Sequence, residues 1–165
     1  MEIKEVKTDK KSYLPLLLLA DEQESMIDRY LERGTMFVLT DGGEIKGECV
    51  VTDEGNGILE LKNLAVEPAC HRMGYGRVLI EFLAERYRGQ YSVLQVGTGD
   101  SPLTVPFYER CGFTCSHRVE NFFTEHYDHP IYEGGVQLTD MVYLRRELPA
   151  SYVSPRTMVK STTQR

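Results

Sequence analysis

The stretch 59–87, LELKNLAVEPACHRMGYGRVLIEFLAERY, constrains this chain more than any other, because it reads as a buried strand, a glycine loop and an amphipathic helix without interruption. Leu59, Leu61, Leu64, Ala65 and Val66 form an apolar, strand-like run, and Pro68 ends it because proline lacks the N–H that a ladder requires. From Gly74 onward Val78, Leu79, Phe82 and Leu83 recur at helical spacing, while Arg77, Glu81, Glu85, Arg86 and Arg88 take the opposite face. A second buried run, 91–96, follows the helix, and strand, helix, strand of this length implies a right-handed parallel crossover. The loop then lies at the C-terminal end of its strand, where α/β sheets bind ligands.

The loop itself is His71-Arg72-Met73-Gly74-Tyr75-Gly76. A glycine-bearing turn feeding a helix leaves several backbone N–H groups unpaired and pointing one way, at the positive end of the helix dipole, which suits a phosphate or pyrophosphate. Gly74 and Gly76 let backbone approach a bulky anion, and Arg72 adds a charge at its edge. Taken alone, the same residues also describe a plain strand-to-helix turn. They form neither a Walker loop, which needs Gly-Lys-Ser or Gly-Lys-Thr, nor the three-glycine dinucleotide fingerprint, so a nucleotide-binding protein is disfavoured.

Val66-x-Pro68-x-x-His71-x-x-Gly74-x-Gly76 resembles the acetyl-CoA loop of the GNAT N-acetyltransferase superfamily, whose pattern is Gln or Arg, two residues, Gly, one residue, then Gly or Ala. Pro106-Phe107-Tyr108-Glu109-Arg110-Cys111-Gly112-Phe113 resembles the Phe-Tyr-x-x-x-Gly-Phe segment of the same family, in the right order and with a strand between the two. His71 departs from the pattern; backbone donors are untouched, but side-chain help from that position is not carried over. The resemblance implies a mixed α/β fold: a central, mostly antiparallel twisted sheet with one parallel, splayed strand pair, flanked by helices. It implies a domain over 1–148 and a reaction, transfer of an acetyl group from acetyl-CoA to a primary amine; the remainder, 149–165, reads from its Ser- and Thr-rich composition as a polar tail.

The resemblance also implies roles. Backbone groups of Leu64, Ala65 and Val66 would hold the pantetheine arm as a strand would and polarise the thioester, while His71, Arg72, Met73, Gly74, Tyr75 and Gly76 would take the pyrophosphate. Tyr108 matches the family tyrosine beside the sulfur, a general acid. Glu60 lies eleven residues before His71, the spacing of the catalytic glutamate in the histone-acetylating branch, and is the candidate base; proton removal through ordered water is the alternative. Asn63 is a possible polar group on the acceptor side. Ser101 stands where family members often carry a cofactor-contacting asparagine. A non-catalytic acyl-CoA-binding module on the same fold remains the rival reading.

The rest of the chain fits one domain of 165 residues. Its net charge of -6 argues against a general nucleic-acid binder and leans toward amine partners, small or peptidic. The apolar run 14–20 is too short to cross a bilayer, so no membrane partner is expected; a homodimer is compatible with the sequence. Cys49, Cys70, Cys111 and Cys115 lie in or beside regular elements with no leader evident, which suits reduced thiols in a cytoplasmic protein. His126-x-x-His129 lacks a helical context and a third ligand, so no metal is expected.

Other elements follow from punctuation. An edge strand occupies 1–6; helices are expected over 13–20, capped by Ser12, and over 21–33, stopped by Gly34. In the family such a pair borders the acceptor groove. Asp41-Gly42-Gly43 joins two strands as a hairpin. Residues 97–101 read as a flexible loop leading to a helix over 102–111, with Ser101 as N-cap and Pro106 disturbing its first half. The runs 113–119 and 137–148 close the sheet, and the aromatic and acidic segment 120–135 between them is a reasonable wall for a cationic acceptor.

Overall fold

The computed structural model describes residues 1–150; all but the first two residues of the expected tail lie outside the described residues. A seven-stranded sheet runs in the order β1 (Glu2–Val6), β2 (Thr35–Asp41), β3 (Glu44–Asp53), β4 (Ile58–Val66), β5 (Val93–Gly99), β9 (Met141–Glu147) and β6 (Thr114–Val119). Every neighbouring pair is antiparallel except β4 with β5. The chain reaches that order because the last strand returns between β5 and β6. The β2–β3 turn is made by Gly42 and Gly43, both left-handed at φ 62° and 80°, the conformation a two-residue hairpin demands.

The sheet separates two apolar layers. On one face lies α3 (Tyr75–Tyr87), whose buried Leu79, Ile80 and Leu83 pack with Phe37, Cys49, Leu61 and Val96. Helix α4 (Val105–Arg110) adds Tyr108 to the same core, joined just beyond its end by Phe113. On the other face Leu17, Ile27, Tyr30 and Leu31 pack on Met36, Val38 and Val50. Among the described residues no helix is long and apolar enough to cross a membrane.

The early helices are shorter than their periodicity suggests. Instead of 13–20 and 21–33, the α-helical spans are single turns, α1 (Leu14–Leu17) and α2 (Glu24–Ile27), continued by turns. Ser12 caps neither, since its hydroxyl donates to the Asp9 carbonyl at 2.6 Å. Burial of Ile27, Tyr30 and Leu31 against the sheet replaces the missing helix as the source of order. Gly34 stands where it does for space: a Cβ there would lie 2.8 Å from Val50 Cγ1 and 2.9 Å from the Tyr30 carbonyl.

Two further expectations are corrected. Residues 97–99 are strand rather than flexible loop, with Gly97 opposite Tyr143 and Gly99 opposite Met141. Both glycines make room for neighbours, because a Cβ at Gly97 would lie 2.7 Å from Met141 Sδ and one at Gly99 2.5 Å from Leu138 Cδ1. Helix α4 begins three residues later than expected, with Thr104 rather than Ser101 as N-cap. The segment 120–135 contains a helical turn, α5 (Phe122–His126), and the start of a small hairpin of β7 (Tyr132–Glu133) with β8 (Val136–Gln137).

Candidate active site

The sheet opens in the middle of β4. Parallel pairing with β5 covers only Ile58, Leu59, Glu60 and Leu61 against Val93, Leu94, Gln95 and Val96. Past that point Asn63, Leu64, Ala65 and Val66 stay paired with β3, while Gly97, Thr98 and Gly99 stay paired with β9. The β5-facing backbone groups of Leu64, Ala65 and Val66 therefore border a gap between two diverging strands. Such groups need partners, and an extended chain laid in the gap would supply them.

At the top of β4 the chain turns into α3 through left-handed residues at Arg72 (φ 67°) and at the N-cap Gly74 (φ 88°). A left-handed arginine is uncommon, and it is held here by a loop tied down at its start: the His71 imidazole Nε2 bonds the Val66 carbonyl at 3.0 Å. The first N–H groups of this 13-residue helix have no partner within it. Nothing lies within 4 Å of a Cβ built on Gly74, so its missing side chain faces open space. Gly76 differs, because its Cβ would lie 3.1 Å from Phe107 Cζ; its lack of a side chain brings α3 against α4. Met73 is exposed, whereas the Tyr75 ring is buried and its hydroxyl donates to Asp41 Oδ2 at 2.9 Å. That bond holds the Asp41 carboxyl below the ordinary range.

Tyr108 is 8 % exposed, packed edge-on against Phe107 and Phe113. Burial first, then the charges of Cys111, Glu133 and Glu48, push its phenol well above the ordinary tyrosine value, so it carries its proton at neutral pH. Ser101 is buried; its hydroxyl accepts from the Leu103 N–H at 3.0 Å and is near enough to Glu133 to oppose the upward shift that burial gives that carboxyl.

Glu60 is buried on the face away from α3. Its carboxylate accepts from Gln95 Nε2 at 2.6 Å and pairs with Lys62 Nζ at 2.6 Å, and Gln95 Oε1 accepts from Arg145 Nε at 2.8 Å. Asn63, on the same face, donates to the Leu17 carbonyl at 3.1 Å and to the Tyr30 hydroxyl at 3.0 Å. Tyr30 donates to Asp21 Oδ2, and Tyr127, from the segment after β6, donates to Asp21 Oδ1. The aromatic segment is thereby fastened to the α1–α2 connection. Phe123, Tyr127 and Ile131 of that segment, with Leu138 just beyond it, line a cavity of ≈ 220 Å³.

Three features escaped the sequence reading: the Asp21 junction, Glu133 beside Ser101, and Glu48. The last had a visible signal, a lone carboxylate in the apolar run 45–52 at a position whose strand neighbour Val50 is core. Among the described residues no cluster of three or more metal-ligating side chains occurs. Cys49, Cys70, Cys111 and Cys115 are all free.

The chain matches the family model for the acetyltransferase (GNAT) domain over residues 32–115. It is 34% identical over 135 residues to the uncharacterised N-acetyltransferase YvbK of Bacillus subtilis, covering 81% of this chain and 87% of that one. A GNAT acetyltransferase from Elizabethkingia anophelis, solved with acetyl-CoA bound, superposes with a TM-score of 0.84 at 32% identity, covering 89% of this chain and 97% of that one. A Bacillus subtilis acetyltransferase in complex with CoA gives 0.82 at 32% identity, with 89% and 98% covered. The splayed parallel pair, the glycine-capped helix beside it and these likenesses lead to one statement: the chain belongs to the GNAT acetyltransferase family.

Proposed function

We propose that the chain transfers an acetyl group from acetyl-CoA to a primary amine, of a small molecule or a peptide. The observation that carries this reading is the gap between β4 and β5, with the N-terminus of α3 following at the end of β4; the buried, protonated Tyr108 would stand beside it. The residues fit the co-substrate. The edge at Leu64, Ala65 and Val66, where only the Val66 carbonyl is bonded to His71, would hold its extended arm, and the backbone of Arg72, Met73, Gly74, Tyr75 and Gly76 its pyrophosphate, with His71 fixing the loop rather than the ligand. Ser101 would act through the turn it braces.

Acyl transfer needs a free amine, a polarised carbonyl and a protonated leaving thiolate. The N–H groups at the β4 edge suit the second need, and the Tyr108 hydroxyl suits the third. Glu60, already paired with Lys62 and hydrogen-bonded by Gln95, would organise the acceptor face. The α1–α2 segment and the aromatic segment would wall the acceptor. Free thiols, three of them buried, favour a reducing, cytoplasmic setting. Calorimetry with acetyl-CoA and a coupled assay of CoA release over a panel of amines test the reading; a chain that binds acetyl-CoA but never releases CoA is a binding module instead.

A further inference from the structure

Glu48 is the one charged residue of β3 that is wholly shielded from solvent, at 0% exposed, and neither oxygen of its carboxylate has a hydrogen-bond partner. A buried charge with nothing to pair with is costly, and chains retain such a group where something else supplies the partner. Its place on the sheet says what that is. Glu48 pairs with Ala65, inside the part of β4 that has left β5, so it stands one strand, about 4.8 Å, from the gap. Its neighbour Gly47 faces Leu79 of α3, so Glu48 points to the opposite face, the face covered by Leu17, Ile27 and Tyr30.

The groups around it are acids or neutral. Tyr30 from the α2 segment, Tyr108 from α4 and Cys49 on its own strand all feel its charge, and no lysine or arginine among the described residues pairs with it. Burial raises its carboxyl, opposed only by the field of the Ala65 N–H, which forms no hydrogen bond with it. Glu60 shares its burial and its face but not its lack of partners, since both a cation and an amide already occupy it.

Resting on the acetyltransferase reading, we infer that Glu48, in preference to Glu60, is the catalytic carboxylate that receives the ammonium group of the acceptor and takes its proton. The acceptor is therefore a primary alkylammonium compound that enters on the α1–α2 face. Glu48 takes one proton from the ammonium. The freed nitrogen forms the N–C bond to the acetyl carbon, the C–S bond breaks, and the Tyr108 hydroxyl gives its proton to the sulfur. The second proton leaving nitrogen restores the phenol, and Glu48 passes its own to solvent.

The test uses the full chain with acetyl-CoA and a panel of alkylamines, polyamines and peptides with free α-amino groups, comparing wild type with Glu48→Gln and Glu60→Gln. Calorimetry should give Glu48→Gln an acetyl-CoA affinity within threefold of wild type. Its kcat/KM for the best amine should fall at least a hundredfold, and the acid limb of the wild-type pH profile should vanish. Unchanged kcat/KM in Glu48→Gln, loss of acetyl-CoA binding along with activity, or loss of the acid limb in Glu60→Gln alone would each overturn the assignment to Glu48 and leave the acetyltransferase reading intact. Wild type that binds acetyl-CoA and turns over no amine overturns both.

Discussion

The Tyr127 hydroxyl donates to Asp21 at 2.7 Å across a sequence separation of 106 residues, and the same carboxylate accepts from Tyr30 at 3.1 Å. Burial lifts the Asp21 carboxyl above the ordinary range although both phenols oppose the shift. Two segments with little regular structure are thus tied together beside the face proposed for the acceptor. Tyr127→Phe removes one charge-assisted bond, with an expected loss of about 1–2 kcal/mol in thermal or denaturant unfolding. The KM for the acceptor should rise several-fold while acetyl-CoA affinity measured by calorimetry stays unchanged.

The Gly74 position separates backbone strain from ligand clash. It is left-handed with open space beyond it, so Gly74→Asn, which tolerates that conformation, should keep acetyl-CoA affinity within a few-fold. Gly74→Glu places a charged side chain in front of the α3 N-terminus and should weaken binding at least a hundredfold. Equal affinities for the two variants would remove the loop from the cofactor site.

Tyr108→Phe deletes only the hydroxyl from a well-packed ring. Turnover should fall about 100- to 10,000-fold, the range of a lost general acid, with acetyl-CoA affinity preserved. Because the phenol is raised, it stays protonated in the folded chain through neutral pH, and any basic limb that it sets should lie above the ordinary tyrosine range.

Glu48 also makes a prediction that needs no substrate. Its folded pKa lies well above the ordinary glutamate value of 4.5. Below that value the carboxyl is neutral in both folded and unfolded chains; as pH rises the unfolded chain ionises first, and stability is lost until the folded pKa is passed. Glu48→Gln should therefore be more stable than wild type at pH 8, by roughly 1–3 kcal/mol, with the difference closing as pH falls toward 4.5. Denaturant midpoints across that range check the sign.

The half of the candidate site proposed for the cofactor was legible in the sequence because it is built from backbone. Gly74, Pro68 and the period of the α3 apolar face state their own geometry, and Gly112 marks the end of α4. Local signals failed where glycine served another purpose: Gly97 and Gly99 read as loop, yet they admit Met141, Tyr143 and Leu138 into the sheet. The helices over 13–33 were overestimated because apolar spacing records which residues are buried, not how the backbone between them is wound. The half proposed for the acceptor depends on contacts such as Asp21 with Tyr127 and on the register that sets Glu48 against Ala65, and neither is local.

The most direct measurement is CoA release from acetyl-CoA by the full chain across a panel of primary amines, corrected for hydrolysis in their absence. The account predicts amine-dependent release that saturates with at least one alkylammonium compound and scales with enzyme concentration. Tight acetyl-CoA binding with release no faster than hydrolysis for every amine would contradict it.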